Sequence, residues 1–401
     1  MQRVPTPEKS RLTRNPAFRL DVGSAVLGFA PFVALNAILP YIAVNRFDAP
    51  MAWVGFMNSA VYLGLLGNAF FSAWSAGADQ RRIIVALLAG SAALMAAAAF
   101  QRSAVPYCIF TTGILCSYGL LLAQYDTFLV RLYAVAERPR KLSFRWMILS
   151  AGAALMSPLF GKLGEGTGGH LPVLLCGAGF LAAGAFVFQR IPVRGGGGAE
   201  PVGLRGMFRV LSRNRRFMRL VVLMVVFAWM GTGISAIDVA LYRRYAMSEF
   251  AVGLLSASNT VGMIAAALAI TPFLRFRGGV SNFRLCFTTA AAAGVFFCLA
   301  GIGSLGAWGA PVIGIGNFIY GIAATGFTIA SQTALANLAG EGEVVLYVNG
   351  FKFIQGVRGI VFPILVAWAL QAAPIGITLV LALALTAFCA VASWIPAVDA
   401  D

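Results

Sequence analysis

The chain alternates long apolar runs with short polar breaks rich in arginine, and the runs fall into one length class. Twelve can be delimited, at about 20–44, 52–76, 83–100, 105–130, 146–163, 172–190, 217–242, 250–274, 284–305, 308–333, 345–370 and 374–396, here spans 1 to 12. Each is roughly 20 residues, the length at which an α-helix crosses the hydrocarbon core of a bilayer. None shows the alternation of a barrel strand, and a bare peptide group finds no partner in lipid, so the pattern predicts continuous helices. The basic segment ahead of span 1 invites comparison with a secretory leader. The run behind it contains Asn36 and Pro40 and is followed by eleven more, so it is read as an uncleaved first helix.

Six spans echo the other six. Arg14-Asn15-Pro16-Ala17-Phe18 returns as Arg213-Asn214-Arg215-Arg216-Phe217, and Val54-Gly55-Phe56-Met57 with Gly64 returns as Val252-Gly253-Leu254-Leu255 with Gly262. Tyr118-Gly119 matches Tyr320-Gly321, and Met156-Ser157-Pro158-Leu159 matches Val361-Phe362-Pro363-Ile364. The matches keep one order and their offset drifts only as loop insertions would make it drift, which argues for two parallel copies of one unit. The predicted fold class is an all-α integral membrane protein of twelve transmembrane helices, arranged as two six-helix bundles related by a pseudo-twofold. The predicted units are a bundle over 1–190, a linker over 191–216 and a second bundle over 217–401.

Composition agrees, with 60% hydrophobic residues, 11% charged and a mean hydropathy of +0.84. The net charge of +16 is carried by 30 Lys plus Arg. Of these, 23 fall in the N-terminal tail, the breaks after spans 2, 4 and 8, and the linker, which predicts that both termini are cytoplasmic. Basic residues spread through every break on one side, instead of gathering on one folded patch, exclude nucleic acid as the partner. The linker holds Gly195 to Gly198 and then Arg205, Arg209, Arg213 and Arg216 on one helical face, a pattern suited to an anionic membrane surface.

Twelve helices in two copies, both ends inside and a long basic linker: the whole chain resembles the major facilitator superfamily of secondary transporters. Its motif between helices 2 and 3, G-x-x-x-D-R-x-G-R-R, is met here by Ser75-Ala76-Gly77-Ala78-Asp79-Gln80-Arg81-Arg82, with the acid and the basic pair kept and two glycines lost. The Gly-Pro motif that antiporters of the family carry in helix 5 is represented by Gly152, Ser157-Pro158 and Gly161, without a glycine directly before the proline. The resemblance implies alternating access, in which two halves rock about a midplane site. It also implies that helices 1, 4, 7 and 10 line the cavity while 2, 5, 8 and 11 form the seam between the halves.

Charges inside a membrane are costly, so each is a functional candidate. In span 11, Asn349, Lys352, Gln355 and Arg358 step by three residues and form a polar stripe. Counting ~1.5 Å per residue puts Arg358 roughly 20 Å deep, near the midplane, and Lys352 roughly 10 Å deep. Asp126 in span 4 has a depth comparable with that of Lys352, and is expected either to pair with a cation of span 11 or to carry a coupling proton. Asp238, close to the outer end of span 7 and near Arg243 and Arg244, is grouped with Asp126 and Lys352 as a candidate for proton coupling or an intramembrane pair, with a solvated outer gate as the alternative. Asn36, Tyr62, Tyr118, Tyr320, Gln355 and Arg358 are the candidate solute contacts, with interhelical packing the alternative role for each. Asp79, Arg81 and Arg82 are candidate gating residues from the motif. Arg138, Arg140 and Lys141 after span 4, facing Glu341 and Glu343 after span 10, form a candidate electrostatic latch, worth about 1 kcal/mol per exposed pair at most.

Other chemistries find little support. All six cysteines lie in apolar spans without a Cys-x-x-Cys pair, His170 is the single histidine, and no phosphate-binding loop is present. No cofactor, metal or enzyme activity is expected. The expectation is a monomeric secondary transporter of a bacterial-type inner membrane, moving a small amphipathic organic solute with protons as the coupling ion and export as the favoured direction. Lys352 and Arg358 support the alternative of organic-anion uptake. A polytopic membrane enzyme or a transport-inactive receptor represents the other classes.

Overall fold

The computed structural model describes residues 16–74, 79–133, 138–166, 168–192, 212–274, 279–338 and 344–393. The first half contributes α1 (Pro16–Phe47), α2 (Met51–Trp74), α3 (Gln80–Ala99), α4 (Ala104–Leu132), α5 (Arg138–Glu165) and α6 (His170–Gln189). The second contributes α7 (Arg215–Arg244), α8 (Glu249–Leu274), α9 (Gly279–Ile302), α10 (Gly309–Leu338), α11 (Val344–Ala372) and α12 (Ile375–Ser393). On their described residues alone, nine of these are long and apolar enough to cross a membrane, and α12 adds the shorter apolar stretch Ile375–Phe388. Large apolar side chains such as Leu155, Trp368 and Phe388 point outward, as a lipid-facing surface requires. The chain is thus a multi-pass membrane protein of two six-helix bundles.

The sequence repeat is a repeat of crossings. A Cβ on Gly64 of α2 would overlap the carbonyl of Cys116 in α4, and one on Gly119 would overlap that of Val61. In the second half, Gly262 of α8 meets the carbonyl of Phe318 in α10, and Gly321 meets that of Asn259. Each contact maps onto its counterpart by the offsets seen in the sequence, 198 in α2/α8 and 202 in α4/α10. Lipid gives helices no hydrophobic reason to associate, so backbone approach at small residues supplies the attraction, and only glycine fits.

The seam between the halves obeys the same operator. Gly55 of α2 packs on Pro363 of α11, while Gly253 of α8 packs on Ser157 and Pro158 of α5. Exchange of the halves turns one contact into the other, which is the signature of a pseudo-twofold. The α1–α2 and α7–α8 turns share a left-handed residue, Asp48 (φ 50°) and Ala246 (φ 45°), again 198 apart.

One boundary differs from expectation in a way that moves residues. The apolar pattern delimits span 5 at about 146–163, whereas α5 begins at Arg138. Arg138, Arg140, Lys141 and Arg145 are therefore helical and not part of a loop. Their cost in a hydropathy profile makes the span begin late, although Lys141 and Arg145 are buried in the bundle, 5% and 2% exposed.

Candidate functional site

Polar side chains gather at three levels between the helices. The middle level sits at helix midpoints. Arg358 is fourteen residues from either end of α11, Tyr118 is fourteen from either end of α4, and Tyr62 is eleven from the start of α2. Tyr62 reaches this level because Gly359 offers no side chain: its ring lies against the Gly359 backbone, across the seam. Tyr320, at the matched position of α10, and Tyr62 are the electrostatic neighbours of the Arg358 guanidinium, and the Phe327 ring centroid is 5.9 Å from it. A buried cation framed by two phenols and an aromatic face offers one charge, two hydroxyls and stacking area to a guest. Phe32 stacks on Tyr118 at 4.6 Å on the side of the first half. Asn36 and Gln355 are half-buried.

Toward the face that bears the termini, Asp126 Oδ2 of α4 stands 2.8 Å from Lys352 Nζ of α11, an ion pair that joins the two halves. Of the two roles expected for Asp126, the geometry is that of pairing with a cation of α11. Behind it lies a cluster the sequence did not announce. Asp21 of α1 is fully buried and accepts hydrogen bonds from the Tyr125 hydroxyl and, at 2.5 Å, from Tyr133. Arg145 Nε is 3.5 Å from Asp21, and its guanidinium lies 4.0 Å over the Tyr125 ring. Asp126 is within electrostatic reach of Arg145 too, so charges of alternating sign run from α1 through α5 and α4 to α11.

At the opposite face the halves are tied again. Arg46 Nε of α1 donates to Glu249 Oε1 of α8 at 2.5 Å, where Glu249 is 3% exposed, and Arg46 also donates to the Gly164 carbonyl. The Tyr41 hydroxyl donates to the Met247 carbonyl, and the Phe250 amide donates to Glu165 at 3.2 Å. Glu249 gains from its place in the first turn of α8, where the helix dipole favours a carboxylate.

Four expectations change. Asp238 is not a solvated outer gate: it is 9% exposed and its Oδ1 accepts no hydrogen bond, whereas Arg243 and Arg244 are exposed. The helical turn separates them, since 238 and 242 share a face from which 243 and 244 diverge. Lys141 is not a latch residue in a loop but packs in α5, with its ammonium 4.9 Å from the Tyr133 ring centroid. Arg138 and Arg140 open α5, while Glu341 and Glu343 lie outside the described residues. Asp79 is the N-cap of α3, accepting from the Arg81 amide at 3.0 Å and lying 3.8 Å from Arg82. Arg81 donates to the carbonyls of Gln189 and Ile191, so the described contacts of this motif stay inside the first half.

No protein-family model matches the sequence, and no curated protein matches it. Solved structures do. The nucleoside transporter NupG superposes with a TM-score of 0.69 at 14% identity, over 94% of this chain and 98% of that one. The human organic anion transporter MFSD10 (TETRAN) gives 0.71 at 15% identity, over 97% and 100%. A bacterial homologue of the human lysosomal transporter Spinster, in an inward-facing, unoccupied conformation, gives 0.62 at 15%, over 96% and 93%. The fold is that of the major facilitator superfamily transporters.

Proposed function

We propose that the protein is a secondary active transporter that carries a small amphipathic organic solute by alternating access between its two halves. The observation that carries this reading is the layered seam: a polar and aromatic level at the helix midpoints, with an ion pair between the halves on either side of it. Such pairs can break and re-form as each end opens, whereas the glycine crossings hold each bundle rigid. The solute is bound by Tyr62, Tyr118, Tyr320 and Arg358, with Asn36 and Gln355 at the margins. Lys352–Asp126 and Arg46–Glu249 are the gates. We further propose a monomer in a bacterial-type inner membrane, with both termini cytoplasmic, the units divided at 190 and 216, and protons as the coupling ion.

Export suits a neutral amphipathic solute. Arg358 at the midplane favours the second reading, uptake of an organic anion, because a positive charge at that depth attracts an anionic guest. The test is reconstitution in proteoliposomes with an imposed pH gradient, using solutes first selected by thermal stabilisation of the purified protein. Gradient-driven flux of a stabilising solute supports transport. Stabilisation without flux of any such solute would show a receptor instead.

A further inference from the structure

Arg244 is a cation that the repeat leaves over. It stands in the last turn of α7 as Arg46 stands in the last turn of α1, at the offset of 198 that also relates Ala246 to Asp48. Arg46 crosses the seam to Glu249, the first residue of α8. The matching first residue of α2 is Met51, which offers no carboxylate. That side of the seam is joined by Gln371 of α11 instead. With its amide turned to face α2, the Gln371 oxygen accepts from the amides of Ala52 at 2.9 Å and Met51 at 3.1 Å. Arg244 is thereby released to the surface. It is exposed, makes no ion pair among the described residues, and reaches the Gly303 carbonyl only through a long contact of 3.5 Å.

What Arg244 meets there is a groove of about 650 Å³ between the ends of α9 and α12, of which it is the charged lining residue. Ile302 is the last residue of α9 and Ile375 the first of α12, so the mouth lies at the level of the helix ends. Trp308, exposed in the turn beyond α9, has the place of an interfacial aromatic. From the mouth, Ile377, Val380 and Leu381 carry the groove along α12 toward the bilayer interior, and all three are exposed. The Tyr245 hydroxyl donates to the Ala300 carbonyl at 2.7 Å, which fixes the end of α7 beside α9 and holds Arg244 at the rim.

Any lipid can cover the apolar surface of a membrane protein, but a guanidinium at headgroup level selects among them. A zwitterionic headgroup brings an ammonium that opposes the guanidinium, whereas a phosphodiester that is the headgroup's only charge pairs with it, two oxygens to two N–H groups. A soluble anion would leave the apolar length of the groove unfilled. A second copy of the chain, docked through this same patch about a twofold, would set two Arg244 side chains against each other. We infer that the groove binds an anionic phospholipid of the leaflet opposite the termini, with its phosphodiester on Arg244 and an acyl chain along Ile377, Val380 and Leu381. The site lies wholly within the second half, outside the seam, and holds whichever solute is carried.

The experiment places the full chain in nanodiscs made of equal parts phosphatidylglycerol and phosphatidylcholine. A trace of one lipid or the other carries a diazirine in its acyl chain, and photo-adducts are mapped by peptide mass spectrometry. Phosphatidylglycerol should label residues 375–381 about tenfold more than phosphatidylcholine does, and Arg244→Gln should bring that ratio close to one. Arg102→Gln, which removes another exposed cation of the same face, should leave the ratio unchanged. Val380→Trp, which fills the groove, should lower labelling by phosphatidylglycerol to the level of phosphatidylcholine. Equal labelling by the two lipids in the unaltered protein, which needs no variant to fold, would overturn the inference. So would a preference that survives Arg244→Gln, or one that Arg102→Gln removes as well. Displacement of the labelled lipid by soluble glycerol phosphate would assign the site to a free anion, and a disulfide joining two Val380→Cys chains would assign it to a second copy.

Discussion

The tie between Gly164 and Glu249 can be made covalent, and the structure says how well. A Cβ built on Gly164 lies 3.5 Å from the Glu249 Cβ, across the seam between α5 and α8. Disulfides span Cβ separations of about 3.5–4.5 Å, so Gly164→Cys with Glu249→Cys should close with little distortion. In its reduced form the double variant has lost the Arg46–Glu249 pair. A charge-assisted hydrogen bond is worth about 2 kcal/mol, which corresponds to a roughly thirtyfold bias of the equilibrium toward opening at that face. The oxidised form cannot open there at all. Flux of a stabilising solute is followed before oxidation, after oxidation and after reduction, with the cross-link scored by mass spectrometry. The expected result is flux that falls to background on oxidation and returns on reduction, with the single variants unaffected by oxidant. A fully formed disulfide with undiminished flux would refute the claim that these ends separate during transport.

Further outcomes follow from the same contacts. Asp21→Ala strands the buried Arg145 and the hydroxyls of Tyr125 and Tyr133, and should destabilise the detergent-solubilised protein by about 3–5 kcal/mol, read as a lowered unfolding temperature. Gly119→Val and Gly321→Val place a branched side chain against the facing carbonyls of Val61 and Asn259, so both should abolish folding, as scored by monodisperse yield. Ala246 pays for a left-handed backbone that asparagine tolerates, and Ala246→Asn should stabilise by up to about 1 kcal/mol. Lys352→Ala leaves Asp126 without its partner in α11 and should raise labelling of a cysteine placed at Gln355 from the terminal face; unchanged labelling would deny the pair a gating role.

What the sequence could show was whatever leaves a mark in both copies or a charge in an apolar run. Gly64, Gly119, Gly262 and Gly321 are legible because a close crossing demands the same residue twice, and the seam prolines Pro158 and Pro363 are legible for the same reason. Asp126 and Lys352 could be matched by depth alone, since both helices can be measured from their ends. Depth along a helix says nothing of direction around it. By position Asp238 groups with the exposed arginines five and six residues further on, although it faces inward. Asp21 sat too close to the basic tail to be read as buried, and Arg145 was lost to a loop because hydropathy counts its charge but not the Tyr125 ring beneath it. Arg46 and Glu249 are each unremarkable at a helix end, and only the fold brings residues 203 apart in sequence to 2.5 Å. Asp79 and Arg81 kept the look of a family gate while serving as a helix cap.

The central claim is that the halves swing so that one face closes as the other opens. Spin labels at Arg102 and Trp308 report the separation at the face of the Arg46–Glu249 pair, and labels at Arg190 and Arg216 report it at the face of the termini. Pulsed dipolar distances in nanodiscs, measured with and without a saturating transported solute, should shift in opposite directions for the two label pairs. Two distances that stay fixed, or that lengthen and shorten together, would contradict the account.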